Sequence, residues 1–260
     1  MTAGTRRLPP GRYRFRHVAR MEWVKLASLR STWWSLGIAI AAAAGIAVLT
    51  AAGTKTPSAD LVNSMMTGMF AGVLLAGVLG VLAVTGEYTS GTIRATLAAA
   101  PRRPLVLAAK AAVFGVTTLI TGQAAAFLAF FAGSAALGHG ITAPALGQPG
   151  VLRTIAASGA SLALIGLLGL GLGAIIRHTA AAVAVLVGVV YVGELFVGQL
   201  DRTLDAYLPA YIVGDSLGGH TCRPGAAACP LPAWAGMSVL AAYAAAALLI
   251  GGCILAWRDA

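Results

Sequence analysis

Six long apolar runs constrain this 260-residue chain more than any other feature. A helix needs about 20 consecutive apolar residues to cross the hydrocarbon core of a bilayer. Only helices and closed barrels satisfy their backbone polar groups there. We therefore expect each run to form one transmembrane helix, so the sequence predicts an all-α integral membrane protein with six spans. The runs cover residues 33–52, 61–85, 111–137, 154–176, 179–198 and 233–257.

The composition argues against a water-soluble domain. Hydrophobic residues make up 58% of the chain and charged residues only 10%, whereas soluble domains carry about 25% charged residues. We expect one membrane domain, 33–257, between a basic cytoplasmic segment, 1–32, and a short tail, 258–260. The fourth and fifth runs are separated only by Arg177 and His178. A joined helix would be about twice the length that a bilayer needs, so we predict a hairpin.

The distribution of basic residues predicts the orientation in the membrane, because Lys and Arg concentrate on the cytoplasmic side. With the N terminus in the cytoplasm, the 18 basic residues all fall on the inside except Lys55, Arg153, Arg202 and Arg223. The protein is therefore predicted to lie in the cell membrane with both termini in the cytoplasm. This topology accounts for the net charge of +10, and nucleic acid is not an expected partner.

The N-terminal segment has the periodicity of an amphipathic helix. Its apolar side chains fall on one face, which Glu22 interrupts, and Arg16, Arg20 and Lys25 lie away from it. We expect an interfacial helix in the headgroup layer, with its basic side chains on anionic lipid. The alternative is a disordered basic tail. The apolar face consists of Phe15, Val18, Ala19, Trp23, Leu26 and Leu29.

Two long connections, 138–153 and 199–232, are predicted to lie outside the cell. The second contains Cys222 and Cys229, which are candidates for a disulfide because the outside is oxidising. Such a bridge would add about 2 kcal/mol of stability, and the alternative is two free thiols. The four histidines form no pair with metal-ligand spacing, so we predict no metal site.

The connection from 86 to 103 is too long and too polar for a simple turn between two membrane helices. Residues 92–100 are mostly good helix formers, Ser90 is a candidate cap, and Pro101 ends the segment. The pattern predicts a short polar helix at the cytoplasmic face, which favours a docking element over a linker.

This connection resembles the permease subunits of type-2, export-type ABC transporters. In that family the loop forms a coupling helix that docks on a separate cytosolic ATPase. The resemblance therefore implies a transporter half that works with an ABC ATPase and with a second permease, either another copy or a related chain. The stretches that carry it are Glu87-Tyr88-Thr89-Ser90-Gly91-Thr92-Ile93-Arg94, Leu97-Ala98-Ala99-Ala100-Pro101-Arg102-Arg103 and Leu107-Ala108-Ala109-Lys110.

Several side chains are candidates for ATPase coupling. We expect Glu87 to pair with Arg94 or with a basic residue of the partner, and Arg94 to offer its planar guanidinium to a partner carboxylate or carbonyl. Gly91 permits close backbone approach, and Arg177 with His178 is a candidate second contact or else a plain hairpin turn. The full candidate set is Glu87, Tyr88, Ser90, Gly91, Thr92, Arg94, Arg177 and His178.

Hydrolysis is expected from another chain, because no Walker A motif surrounds any of the three lysines. The chain is therefore not predicted to be an enzyme or to bind a cofactor, and ATP and Mg are expected on the partner ATPase. The polar residues Asn63, Gln123 and Glu194 within the spans are candidates for the substrate path or for gating. The alternatives are a membrane-embedded enzyme and an ATP-independent transporter.

Overall fold

The computed structural model describes residues 14–54, 61–93, 96, 103–138, 141–193, 196, 207–216 and 231–257. All regular secondary structure within these ranges is helical, which confirms the prediction of an all-α membrane protein. The helices are α1 Phe15–Ser28, α2 Arg30–Gly53, α3 Leu61–Met66, α4 Met69–Thr89, α5 Arg103–Ala135, α6 Val151–Ile176, α7 Thr179–Val187, α8 Pro209–Tyr211 and α9 Ala233–Trp257. A π-helical turn follows α7 at Gly188–Val192, and another follows α8 at Ile212–Ser216.

Five helices in the described ranges are long and apolar enough to cross a membrane. They are Arg30–Gly53, Leu61–Thr89, Arg103–Ala135, Val151–Ile176 and Trp234–Trp257. The predicted fifth span, 179–198, corresponds to the shorter apolar helix Thr179–Val192, and most of its remainder lies outside the described residues.

Two helices extend well past the predicted spans at one end of the bundle. The second predicted span ended at 85, but α4 continues to Thr89, so residues 86–89 are helical and do not belong to a loop. The third was predicted from 111, but α5 begins at Arg103. Its second residue, Pro104, occupies a position where the missing N–H breaks no helical bond. Charged residues marked the predicted ends, and burial of Glu87 and Lys110 in ion pairs lets both helices continue through them.

Helix α6 lies at the centre of the bundle and packs against α4, α5 and α9. In its most apolar window 67% of the residues are buried, against 28% in α2 and in α9. A helix that is apolar all round and also buried must contact neighbours on several sides. Glycine makes those contacts close, because it lets backbones approach without side chains between them.

The contact between α4 and α6 depends on glycines of both helices. A Cβ atom at Gly80 would overlap the carbonyl oxygen of Gly166, and one at Gly169 would overlap that of Gly77. Gly122 of α5 meets α6 in the same way. These backbones are therefore as close as helices can come, and the bundle has little room for larger residues there.

We predict that Gly80→Ala destabilises the protein by about 1–3 kcal/mol, because the added methyl group forces α4 and α6 apart. Reversible unfolding in mixed micelles measures the change. Gly45→Ala is the matched control, since a Cβ atom at Gly45 has no atom of the protein within 4 Å. Equal stability of the two variants would contradict this account of the packing.

Candidate functional site

Helix α1 confirms that the N-terminal segment is helical, but its inward face differs from the predicted one. Its buried residues are Val18 and Glu22, whereas Phe15 and Trp23 are nearly half exposed. Val18 packs on Val106 and Ala109 of α5. Glu22, which we expected to interrupt the apolar face, instead points into the protein.

Glu22 belongs to a cluster of four charged side chains from three helices, which we call the charge cluster: Glu22 and Lys25 of α1, Glu87 of α4 and Lys110 of α5. The Lys110 ammonium donates to Glu22 Oε2 and, over 2.8 Å, to Glu87 Oε1. The Lys25 ammonium donates to Glu22 Oε1 over 3.1 Å and to Glu87 Oε1 over 3.0 Å. The described partners of Glu87 are therefore Lys25 and Lys110, which the sequence did not predict. Arg94 lies outside the described residues, so pairing of Glu87 with Arg94 or with a basic residue of the ATPase stays a prediction.

The charge cluster is mostly buried and balanced in charge. The exposed side-chain fractions are 3% for Glu22, 10% for Lys110, 12% for Glu87 and 36% for Lys25. Burying an ion costs several kcal/mol unless an opposite charge and hydrogen bonds compensate, and two carboxylates facing two ammonium groups provide that compensation. Among the described residues Glu87 Oε2 has no hydrogen-bond partner, so the compensation is incomplete at one atom.

The charges around Lys25 keep it protonated. Partial burial lowers its pKa, but the hydrogen bond to Glu87 and the negative charges of Glu22 and Glu87 raise it by more. The net effect is a pKa above the usual lysine value. Lys25 is therefore a cation at neutral pH, which keeps the charge cluster balanced.

The charge cluster also reaches the segment that was predicted to dock. The Lys25 ammonium donates to Thr96 Oγ1 over 3.0 Å, and Thr96 is 5% exposed. Thr92, Ile93 and Thr96 are helical, in agreement with the predicted short helix, although 94–95 and 97–102 lie outside the described residues. One lysine thus connects α1, the end of α4 and this segment.

The turn between α4 and this segment is exposed at 89–92, whereas Ile93 is buried. The Ser90 hydroxyl donates to the Gly86 carbonyl over 2.7 Å, so it caps the end of α4, although we expected it to cap the next helix. Gly91 has a φ of 71°, a left-handed conformation that favours glycine. A Cβ atom at Gly91 would have no neighbour within 4 Å. The glycine is therefore required by the backbone conformation of the turn and not by close packing against the described residues.

Arg177 lies against its own chain. Its guanidinium carbon is 5.3 Å from the centre of the Tyr88 ring, and it donates to the Ile254 carbonyl over 3.3 Å. Arg103 donates to the next carbonyl, Leu255, over 3.4 Å. The two arginines therefore bind the C-terminal carbonyls of α9, a favourable position for cations.

His178 is exposed and accepts from the Ala181 N–H over 3.4 Å, so it caps α7. A role of Arg177 or His178 in ATPase contact stays a prediction.

The candidate substrate residues Asn63 and Gln123 lie on different helices, α3 and α5. Gln123 of α5 donates to the Ala156 carbonyl of α6 over 2.8 Å, so its amide holds two helices together. Asn63 is half-buried in α3. Glu194 and the candidate disulfide, Cys222 and Cys229, lie outside the described residues. Within the described ranges, no group of His, Cys, Asp or Glu is arranged to hold a metal ion.

The sequence analysis missed Glu22, Lys25 and Lys110 as site residues. It used both lysines as topology markers and treated Glu22 as a flaw in an amphipathic pattern. The available signal was a matched set of opposite charges beside apolar residues, which predicts ion pairing but does not say which residues pair.

The helices define a multi-pass α-helical membrane protein with a cluster of ion pairs where α1, α4 and α5 meet. Residues 19–208 match the family model described as ABC-2 family transporter protein. The match covers more than half of the chain, so the chain belongs to the ABC-2 transporter family and is a membrane transporter permease. The family resemblance drawn from residues 87–110 is thereby confirmed. No curated protein matches the chain significantly.

We predict that Lys110→Met destabilises the protein by about 3–5 kcal/mol, because it leaves two buried carboxylates with one partially exposed cation. The double variant Glu22→Gln, Lys110→Met should lose clearly less than the sum of the two single variants, since it removes a charge of each sign. Unfolding in mixed micelles measures both.

The control is Arg20→Met on the exposed face of α1, which should change stability by no more than about 0.5 kcal/mol. Strictly additive losses at Glu22 and Lys110 would show that the two charges do not interact.

Proposed function

We propose that this permease is the membrane subunit of an ABC exporter and that a separate cytosolic ATPase docks on residues 86–103. The observation that supports this most is the combination of an exposed turn with buried contacts on both sides of it. Its turn, 89–92, is exposed to a partner, while Glu87 and Thr96 on either side are bound to Lys25. A force applied to the turn would therefore reach α1, α4 and α5 together.

The residues of the segment have separate roles in this proposal. Ser90, Gly91 and Thr92 form the surface that enters the ATPase, and Arg94 pairs with a carboxylate or carbonyl of the ATPase. Glu87 acts inside the permease, where it transmits movement to Lys25 and Lys110. Tyr88 transmits movement to Arg177 and through it to the end of α9.

The substrate path in this proposal lies between two permeases, along the second and fifth spans of each. Within one chain, α4 and α7 are joined near both ends. The Thr179 hydroxyl donates to Thr85 Oγ1 over 2.9 Å, and the Tyr191 hydroxyl donates to the Phe70 carbonyl over 2.7 Å. The π-helical turn at Gly188–Val192 supports a functional role for α7, because such turns are frequent at functional sites.

The exposed face of α7 supports an association between permeases. Val185 of α7, and Val189, Val192 and Phe196 beyond its end in the fifth span, have 37–67% of their surface exposed. We assign this face to a second copy of the chain, or to a related permease. The assembly lies in the cell membrane with both termini in the cytoplasm, and it binds ATP and Mg on the ATPase.

We predict that Arg94→Glu reduces co-purification of the cognate ATPase at least about tenfold. Reversing a charge at a docking contact replaces attraction by repulsion, which costs roughly 2 kcal/mol or more. The assay is co-expression with the ATPase, capture through a tag on the permease, and quantification of the captured ATPase.

Arg153→Glu is the matched control, because Arg153 is exposed at the opposite end of α6 from Arg177. Its capture of the ATPase should equal that of the unmodified protein. Normal capture and normal transport by Arg94→Glu would refute docking at this segment.

We predict that Cys222 and Cys229 react with a membrane-impermeant maleimide from outside intact cells, and only after reduction if they form a disulfide. The experiment requires a Cys253→Ser background, because Cys253 is an exposed free thiol on α9. Permeabilised cells provide the total labelling. Labelling that requires permeabilisation would reverse the proposed orientation.

A further inference from the structure

A cavity of about 490 Å³ lies beside the charge cluster, between α1, the start of α2, the end of α4 and α5. Its size is within the range of about 300–1,000 Å³ that is typical of ligand sites. Much of its wall is apolar, and the apolar side chains are Leu26, Leu29, Leu79, Leu82, Val113 and Phe114. We call it the boundary cavity. Because Leu29 and Leu82 remain 55% and 43% exposed, the wall has apolar surface that a ligand would cover.

The polar part of the boundary cavity combines hydroxyl groups with the charge cluster. Hydroxyls are available from Ser28, Ser31 and Thr32 on one side and from the turn after α4 on the other. All four members of the charge cluster line the cavity, but they are not equally accessible. Lys25 keeps 36% of its side chain exposed, against 3% for Glu22 and 12% for Glu87. The Lys25 ammonium already donates its three hydrogens to Glu22, Glu87 and Thr96, and the charges of the cluster balance. The hydroxyls of Ser31 and Thr32, in the first turn of α2, are therefore the donors that a ligand can use.

The surroundings of the boundary cavity favour an anion. Arg14, Arg16 and Arg20 of α1 and Arg30 of α2 are all exposed. The only acidic residue between positions 14 and 54 is Glu22, which Lys25 and Lys110 neutralise. Basic clusters on a helix that lies on a membrane attract anionic lipids.

We propose that the boundary cavity binds one anionic phospholipid of the cytoplasmic leaflet. An acyl chain lies against the leucines and Phe114, and the phosphate lies at the hydroxyls of Ser31 and Thr32, beside the exposed Arg30. This inference rests on the prediction, from the sequence, that α1 lies in the headgroup layer. The bound lipid would touch both α1 and the turn before the docking segment, because Ser90 and Thr92 also line the cavity. It would thus support the surface on which the ATPase docks.

The chain offers a matched pair of substitutions to test this. Gly86 lines the boundary cavity, and a Cβ atom there has no neighbour within 4 Å, so Gly86→Leu should fill the cavity without moving the backbone. Gly37 of α2 is equally open but does not line the cavity, so Gly37→Leu adds the same side chain elsewhere. Ala83→Leu is a second way of filling the cavity from the same helix.

The experiment is native mass spectrometry of the purified full-length permease after exchange with equal amounts of phosphatidylglycerol and phosphatidylcholine. We expect the unmodified protein and Gly37→Leu to retain one phosphatidylglycerol, with a preference of about fivefold over phosphatidylcholine for one cationic contact. Gly86→Leu and Ala83→Leu should lose that lipid while eluting and unfolding like Gly37→Leu. Equal retention of both lipids, or retention by the folded cavity variants, would overturn the proposal.

A second measurement needs no variant. Phosphatidylglycerol with a photoreactive acyl chain, bound to the unmodified protein, should crosslink to residues 79–86 or 113–114, and crosslinks confined to other helices would overturn the proposal. Neither measurement includes an ATPase, so failure here is distinct from failure of the docking proposal. Conversely, loss of ATPase capture by Arg94→Glu would support the docking proposal regardless of which lipid the permease retains.

Discussion

The described end of the bundle depends on four charges buried where α1, α4 and α5 meet. Two lysines share one oxygen of Glu87, and both also bind Glu22, so each charge holds at least two helices in place. Removing any one member leaves the others short of compensation in a poorly solvated place. The ion pairs add directional contacts to the apolar packing of α1, in which Val18 lies against Val106 and Ala109 of α5 while Trp23 remains nearly half exposed.

A buried ion-pair network is weak evidence for stability, because apolar residues of similar volume often serve as well. Geometry gives a better explanation of the charge cluster. Ion pairs with hydrogen bonds have preferred directions, whereas apolar contacts tolerate sliding. The ends of three helices and Thr96 are therefore fixed relative to one another, as a lever between an ATPase and a membrane domain requires. We infer this role from the contacts, and it depends on the docking proposal.

The sequence predicts the helices well and the site only in part. The reason is that hydropathy is a local property, whereas the contacts of the site join residues that are far apart in the sequence. A helix such as Arg30–Gly53, predicted as 33–52, is recognisable because hydropathy is a property of consecutive residues. Glu87 is recognisable as polar at a membrane boundary. Its partner Lys25 is 62 positions away, and Lys110 is 88 positions from Glu22. No local pattern specifies such pairs, and the extension of α5 to Arg103, ahead of the predicted third span, has the same origin.

The end of the bundle that the charge cluster holds, here called the fixed end, contrasts with two places where the spans are irregular. The second span is interrupted at Thr67 and Gly68, between α3 and α4, and the fifth changes from α-helical to π-helical hydrogen bonding at Gly188. Thr67 and Gly68 precede α4, which carries Glu87 near its other end, and Gly188 follows α7, whose other end is capped by His178. Glycine at both places lowers the cost of backbone change. If the docking segment moves as one body with α1, α4 and α5, the bending has to occur where the helices are irregular. Under the docking proposal, such a permease would open away from its ATPase, because the docking end is the one where the charge cluster holds α1, α4 and α5 together.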